Sequence, residues 1–160
     1  MEDSKKTIIL KPKMAQFIAD YYLLIALCLA MMLFTGVDDG YISLFCLGGS
    51  CLFGLLVLYR LWFFTTIQWV VGTEKIKYSR GIFNRNTDYL ELYRVIDYSE
   101  EQSLIQQLLN IKSVIIFSGD RSHSTLRIYG IAENNSIIDF IRDNVELQKK
   151  QKKIYEITNN

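Results

Sequence analysis

The chain has 160 residues, half of them hydrophobic, and a formal net charge of +1. That balance offers nucleic acid no basic footprint. The three cysteines all lie in apolar runs and histidine occurs once, which excludes a disulfide framework and a zinc knuckle from the rest of the chain. The mean hydropathy of +0.13 averages two unlike parts. Residues 14–71 are almost free of charge, whereas residues 72–160 have the composition of a soluble domain, long enough for one small core.

Residues 1–16 read as a basic arm, with Lys5, Lys6, Lys11 and Lys13 set against Glu2 and Asp3. Pro12, the only proline, breaks it before a helix can start. Residues 17–60 then read as a two-helix transmembrane hairpin. Two uncharged runs, 21–37 and 41–59, are joined by an acidic loop at Asp38, Asp39 and Gly40. Each run approaches the about 20 residues that cross roughly 30 Å of hydrocarbon. A signal peptide also follows a basic segment, but no A-x-A-like site follows this long run and a second run comes at once, so an uncleaved anchor is expected.

Asp20 near the start of the first run is expected at the membrane interface, beside Tyr21 and Tyr22, because a carboxylate at a span centre costs about 2.5–3.5 kcal/mol. Lysines precede the first run, the loop has no basic residue, and Arg60, Lys75, Lys77 and Arg80 follow the second, which places both ends on the cytoplasmic side. Arg60, Trp62 and Trp69 are expected as interface anchors. Cys46, Ser50 and Gly54, four apart, put small residues on one face of the second span, and Ala26 and Ala30 do the same on the first. Such faces let helices approach closely, within the hairpin or between chains. Cys28, Cys46 and Cys51 read as small packing residues.

Residues 65–147 read as a single domain of strands followed by one helix. Strands are expected over residues 66–71 and 75–79, the latter in strict alternation, then around Tyr89, Leu90 and Leu92, and over 95–99. Asn84, Arg85 and Asn86 make a polar turn tip. Leu104, Ile105, Leu108 and Leu109 follow helical spacing, with Ser103 as cap. A strand at 114–117 and a polar turn containing Gly119, Asp120 and His123 precede a hairpin partner at 125–129. Ser136 opens an amphipathic helix with Asp139 placed for a capping box and Ile137, Ile138, Ile141 and Val145 as its stripe. Residues 148–160 read as a basic tail bearing Lys149, Lys150, Lys152 and Lys153, close enough to an anionic leaflet to touch it. The fold class expected is a membrane α-helical hairpin plus a small, mainly β domain, an antiparallel sandwich or barrel capped by the C-terminal helix.

Two stretches carry a family resemblance. Residues 69–98, WVVGTEKIKYSRGIFNRNTDYLELYRVIDY, and 102–116, QSLIQQLLNIKSVII, resemble the bacterial pleckstrin-homology (PH) domain membrane proteins, many of which carry two membrane helices ahead of the domain. The resemblance covers roughly residues 15–145. It departs from the usual motif at Gly72, where threonine is common, at Glu91, often proline, at Gln107, often arginine, and at Asn110 and Lys112, which replace two glycines. It implies a PH-like fold in a bacterial inner membrane, without enzymatic activity and without an assigned ligand.

No Gly-rich phosphate loop, Walker loop, zinc-protease or nucleophile-elbow motif occurs. Glu100 and Glu101 are adjacent, so in a strand they point to opposite faces and form no acid–base pair. No cofactor and no metal is expected. Lys75, Lys77, Arg80 and Arg85 are the candidate contacts for phosphate headgroups or an acidic partner. The function expected is a non-enzymatic inner-membrane protein presenting a PH-like module to lipid or to a membrane or cytoplasmic protein. The rival reading is a hairpin that assembles with copies of itself to sense or permeabilise the membrane.

Overall fold

Residues 8–10 and alternating apolar residues between positions 68 and 132 build two antiparallel sheets, and the long apolar helices stand outside them. The structure is a computed structural model in which residues 7–36, 40–120 and 124–152 are described. The expected residues Glu2, Asp3, Lys5, Lys6, Asp38, Asp39, His123 and Lys153 lie outside these.

The elements run β1 (Ile8–Leu10), α1 (Met14–Phe34), α2 (Gly40–Thr65), β2 (Gln68–Val71), β3 (Lys75–Arg80), β4 (Asn86–Glu91), a 3-10 turn (Leu92–Arg94), β5 (Val95–Glu101), α3 (Leu104–Leu108), β6 (Ile111–Ser118), β7 (Thr125–Ala132) and α4 (Ile137–Gln151). Four strands form one sheet in the order β1-β2-β3-β4, and three form the other in the order β5-β6-β7. Both helices of the hairpin are long and apolar enough to cross a membrane. The domain core gathers Trp69, Val71, Ile76 and Leu90 from the first sheet and Val114, Ile116 and Ile128 from the second, closed by Ile137, Ile141 and Val145 of α4. This architecture agrees with a PH-like fold.

Several expectations change. Part of the N-terminal arm belongs to the domain. Ile8 and Leu10 pair with Val71 and Trp69 and face the core with them, so residues 8–10 form an edge strand of the domain. Trp69 is not an interface anchor. It is fully buried, stacked on Tyr78 at 5.4 Å and edge-on to Tyr129 at 4.9 Å, because it alternates in phase with Val71. Its indole N–H is buried without a hydrogen-bond partner. Leu92 leaves the strand for the 3-10 turn but stays buried. The start expected for the tail, at residue 148, lies inside α4, which continues to Gln151 and takes in Lys149 and Lys150. Ser136 caps α4 without a side-chain hydrogen bond, so the capping box with Asp139 does not form.

The pattern of α3 is inverted in part, with Ile105 and Leu109 half-buried. Leu104 and Leu108 are exposed, while Gln106 between them is buried. The reason is polar: Ser103 and Gln106 form a full capping box, and the Gln106 amide goes on to bond outside its own helix. Asn110 ends α3 with φ +49°, a left-handed conformation that asparagine tolerates where the family's motif has glycine.

Candidate functional site

The hairpin does not hang from the domain on a flexible link. Only Thr66 and Ile67 separate α2 from β2, and Ile67 is buried. At the other helix, the Lys13 N–H donates to the Gly130 carbonyl at 2.8 Å. Gly130 has φ +68°, and a Cβ there would stand 2.6 Å from Gln16 Cβ, so the first turn of α1 lies directly on β7. Phe17 is buried beside it, edge-on to Phe64 at 5.5 Å.

A chain of amides runs through this joint. The Gln16 Nε2 donates to Asp20 Oδ1 at 2.7 Å, and Gln16 Oε1 accepts from Gln106 Nε2 at 2.8 Å. Gln106 Nε2 also donates to Ser113 Oγ at 2.9 Å, and Gln106 Oε1 accepts from the Ser103 N–H at 2.9 Å. Gln16 and Gln106 are both buried, so each bond stands in for lost water. A cleft of about 400 Å³ opens beside this network, with Asp20, Arg127 and Tyr129 on its walls. Arg127 and Tyr129 also line a second cleft of about 340 Å³ between the sheets, where Tyr78, Arg80 and Asp88 meet them. Burial, and then the neighbouring Tyr78 hydroxyl, push the Tyr129 phenol above its ordinary value, which keeps it neutral. Arg127 is neutralised by Glu101 at 3.1 Å and Arg80 sits 3.9 Å from Asp88. Among the described residues no three metal-ligating side chains converge.

The four basic candidates are not one patch. Lys75 and Lys77 share the outer face of the first sheet, with their ammonium groups 5.1 and 5.9 Å from the Tyr89 ring centroid. Arg80 points from the opposite face and covers Tyr78 at 5.2 Å. Arg85 is exposed in the β3–β4 turn. Glu100 and Glu101 take separate partners, Lys112 at 2.7 Å and Arg127.

In the hairpin, Arg60 lies over the Tyr21 ring at 5.8 Å, and Trp62 is exposed. The small residues of α2 meet α1: Cys28 Sγ donates to the Ser50 carbonyl at 3.6 Å, and a Cβ on Gly54 would reach Cys28 Sγ at 4.0 Å. Cys46 is half-buried on the same face. Ala26 and Ala30 are exposed, outside the face that packs on α2, where Ile25 and Cys28 take their place. The Gln16–Gln106 joint escaped the sequence. Only the Ser103-x-x-Gln106 spacing signalled half of it, and nothing local connects two glutamines 90 positions apart.

Compared with known families, the chain is matched over residues 15–145 by the family model described as Bacterial PH domain. Neither the curated proteins nor the solved structures yield a match. The match spans the hairpin as well as the sheets, and the chain belongs to the bacterial PH domain family.

Proposed function

We propose that this bacterial PH domain protein is a non-enzymatic, membrane-anchored binding module, held at the cytoplasmic face of the inner membrane with both termini inside. The observation that carries the reading is the hairpin. Its helices are long and apolar and have almost no protein cover, with Leu33, Phe45, Leu55 and Leu58 exposed. An uncovered apolar surface of that extent on a soluble protein would drive association. The rigid joint at Gln16, Phe17 and Gly130 supports the second half of the reading, since a domain clamped to both helices must sit against the headgroups.

Binding is the role this arrangement favours, through lipid headgroups, an acidic protein surface, or both. The split of the basic residues defines the test. Purified full-length protein, released from native membranes and weighed with its retained lipid by native mass spectrometry, is compared with a Lys75→Ala/Lys77→Ala variant and an Arg80→Ala/Arg85→Ala variant. Loss of retained phosphatidylglycerol is expected from the arginine pair, which lies toward the α2 end of the domain. Unchanged lipid in both variants would remove headgroup contact from the reading and leave protein binding.

A further inference from the structure

The β3–β4 turn presents its largest apolar side chain where the domain meets the hairpin. Phe83 is 88% exposed. A lone exposed phenylalanine is ordinary on a protein surface, but this one has company. Its ring stands edge-on to Trp62 of α2, with centroids 5.9 Å apart, and Trp62 is itself 57% exposed. Trp62 follows Arg60 by two residues, and Arg60 covers Tyr21 of α1. Tyr21, Arg60, Trp62 and Phe83 therefore mark one level at the domain end of the hairpin.

The Thr66 hydroxyl holds the turn there. The Gly81 N–H donates to Thr66 Oγ1 at 3.1 Å, and that hydroxyl donates to the Phe63 carbonyl at 2.7 Å. Gly81 has φ +118°, and a Cβ on it would run into the Asn84 carbonyl oxygen. The turn closes tightly around glycine and is tied to the end of α2, which holds the exposed Phe83 beside Trp62 and outside the domain core.

We propose that residues 81–85 are a third membrane contact of this protein. The Phe83 ring enters the interfacial layer of the bilayer beside Trp62, and Arg85 reaches headgroup phosphates at the rim. The proposal rests on the membrane reading of the hairpin. Lipid is the occupant, because the Trp62–Phe83 surface continues into the outward side chains of α2, Leu55, Leu58 and Tyr59, which are equally exposed and apolar. Aromatic rings with arginine beside them suit the headgroup level. Two adjacent helices leave the protein as a whole free to tilt about the line through them, and a contact to one side of that line removes the freedom.

The test uses the full chain in vesicles of phosphatidylethanolamine and phosphatidylglycerol containing lipid spin-labelled near the headgroup. Cys28, Cys46 and Cys51 are replaced by alanine, and a polarity-sensitive fluorophore is attached after Phe83→Cys, Leu58→Cys or Ile96→Cys. Ile96 lies at the end of β5 remote from α3 and is the aqueous control. Blue-shifted, quenched emission is expected at 83 and 58, with neither effect at 96. Quenching at 58 without quenching at 83 overturns the loop contact and leaves the membrane reading standing. No quenching at 58 overturns both. Should removal of the cysteines impair folding, a benzophenone side chain at position 83 in the native-cysteine protein gives a second readout. A lipid adduct on irradiation is expected, and adducts confined to protein overturn the proposal.

Discussion

Tyr129 stands at the wall shared by both clefts, and its raised pKa ties folding to pH. Below about pH 10, the ordinary tyrosine value, folded and unfolded chains both keep the proton. As pH rises past that value the unfolded chain releases it first, because only the folded state holds the phenol in a buried place beside Tyr78. The unfolded state then binds fewer protons, so stability falls with pH. Tyr129→Phe keeps the ring against Trp69 and removes the proton. Its thermal midpoint is expected to decline less steeply than wild type between neutral pH and the alkaline side of pH 10, and parallel declines would refute the assignment. Trp69, the ring that Tyr129 meets, shows what the sequence offered at this scale. A tryptophan beside an apolar span suggests an interface anchor, yet its two-residue alternation with Val71 was equally visible and is what prevailed. Composition near a membrane span is a weaker guide than period once a strand has begun.

The elements themselves were legible where period and turn chemistry agreed, as in β3, β6, β7 and α4. They were misread where long-range pairing decides. Nothing local in residues 8–10 requires a strand, and β1 exists because β2 offers an open edge. The helix α3 has an apolar stripe but turns Leu104 and Leu108 of it outward, with Ile105 and Leu109 half-buried, because Gln106 is held by Gln16 of α1 and Ser113 of β6. The contact of α1 with β7 has the same non-local character and turns on Gly130. Gly130→Ala would need a left-handed alanine and a Cβ inside the space of Gln16, so a loss of about 1–3 kcal/mol is expected. The signature separating this from general damage is location. Amide exchange should rise in α1 residues 14–20 and in β7, with β3 and β4 unchanged, and a uniform rise across both sheets would refute a local joint.

At the scale of the whole molecule, hairpin and sheets share one core. A division at residue 65 looks natural in the sequence, where uncharged runs give way to alternation. The structure crosses that boundary through β1, through Phe17 and Phe64, and through the Gln16–Gln106 and Lys13–Gly130 hydrogen bonds. Leu10, Phe17 and Phe64 are each less than a tenth exposed, and burying each contributes about 1.5–3 kcal/mol. Their combined contribution is of the same order as the whole stability of a small domain, about 5–15 kcal/mol. A fragment of residues 65–160 loses Leu10, Phe17 and Phe64 together and bares the edge of β2. It is therefore expected to show no cooperative thermal transition by circular dichroism and to associate through β2, whereas the full chain in detergent unfolds cooperatively. A monomeric fragment with a sharp transition would show that the sheets stand alone and that the hairpin is only an anchor. The expected failure would mean that anything bending the helices is transmitted to the sheets without a hinge, since Thr66 and Ile67 leave no length in which to absorb it.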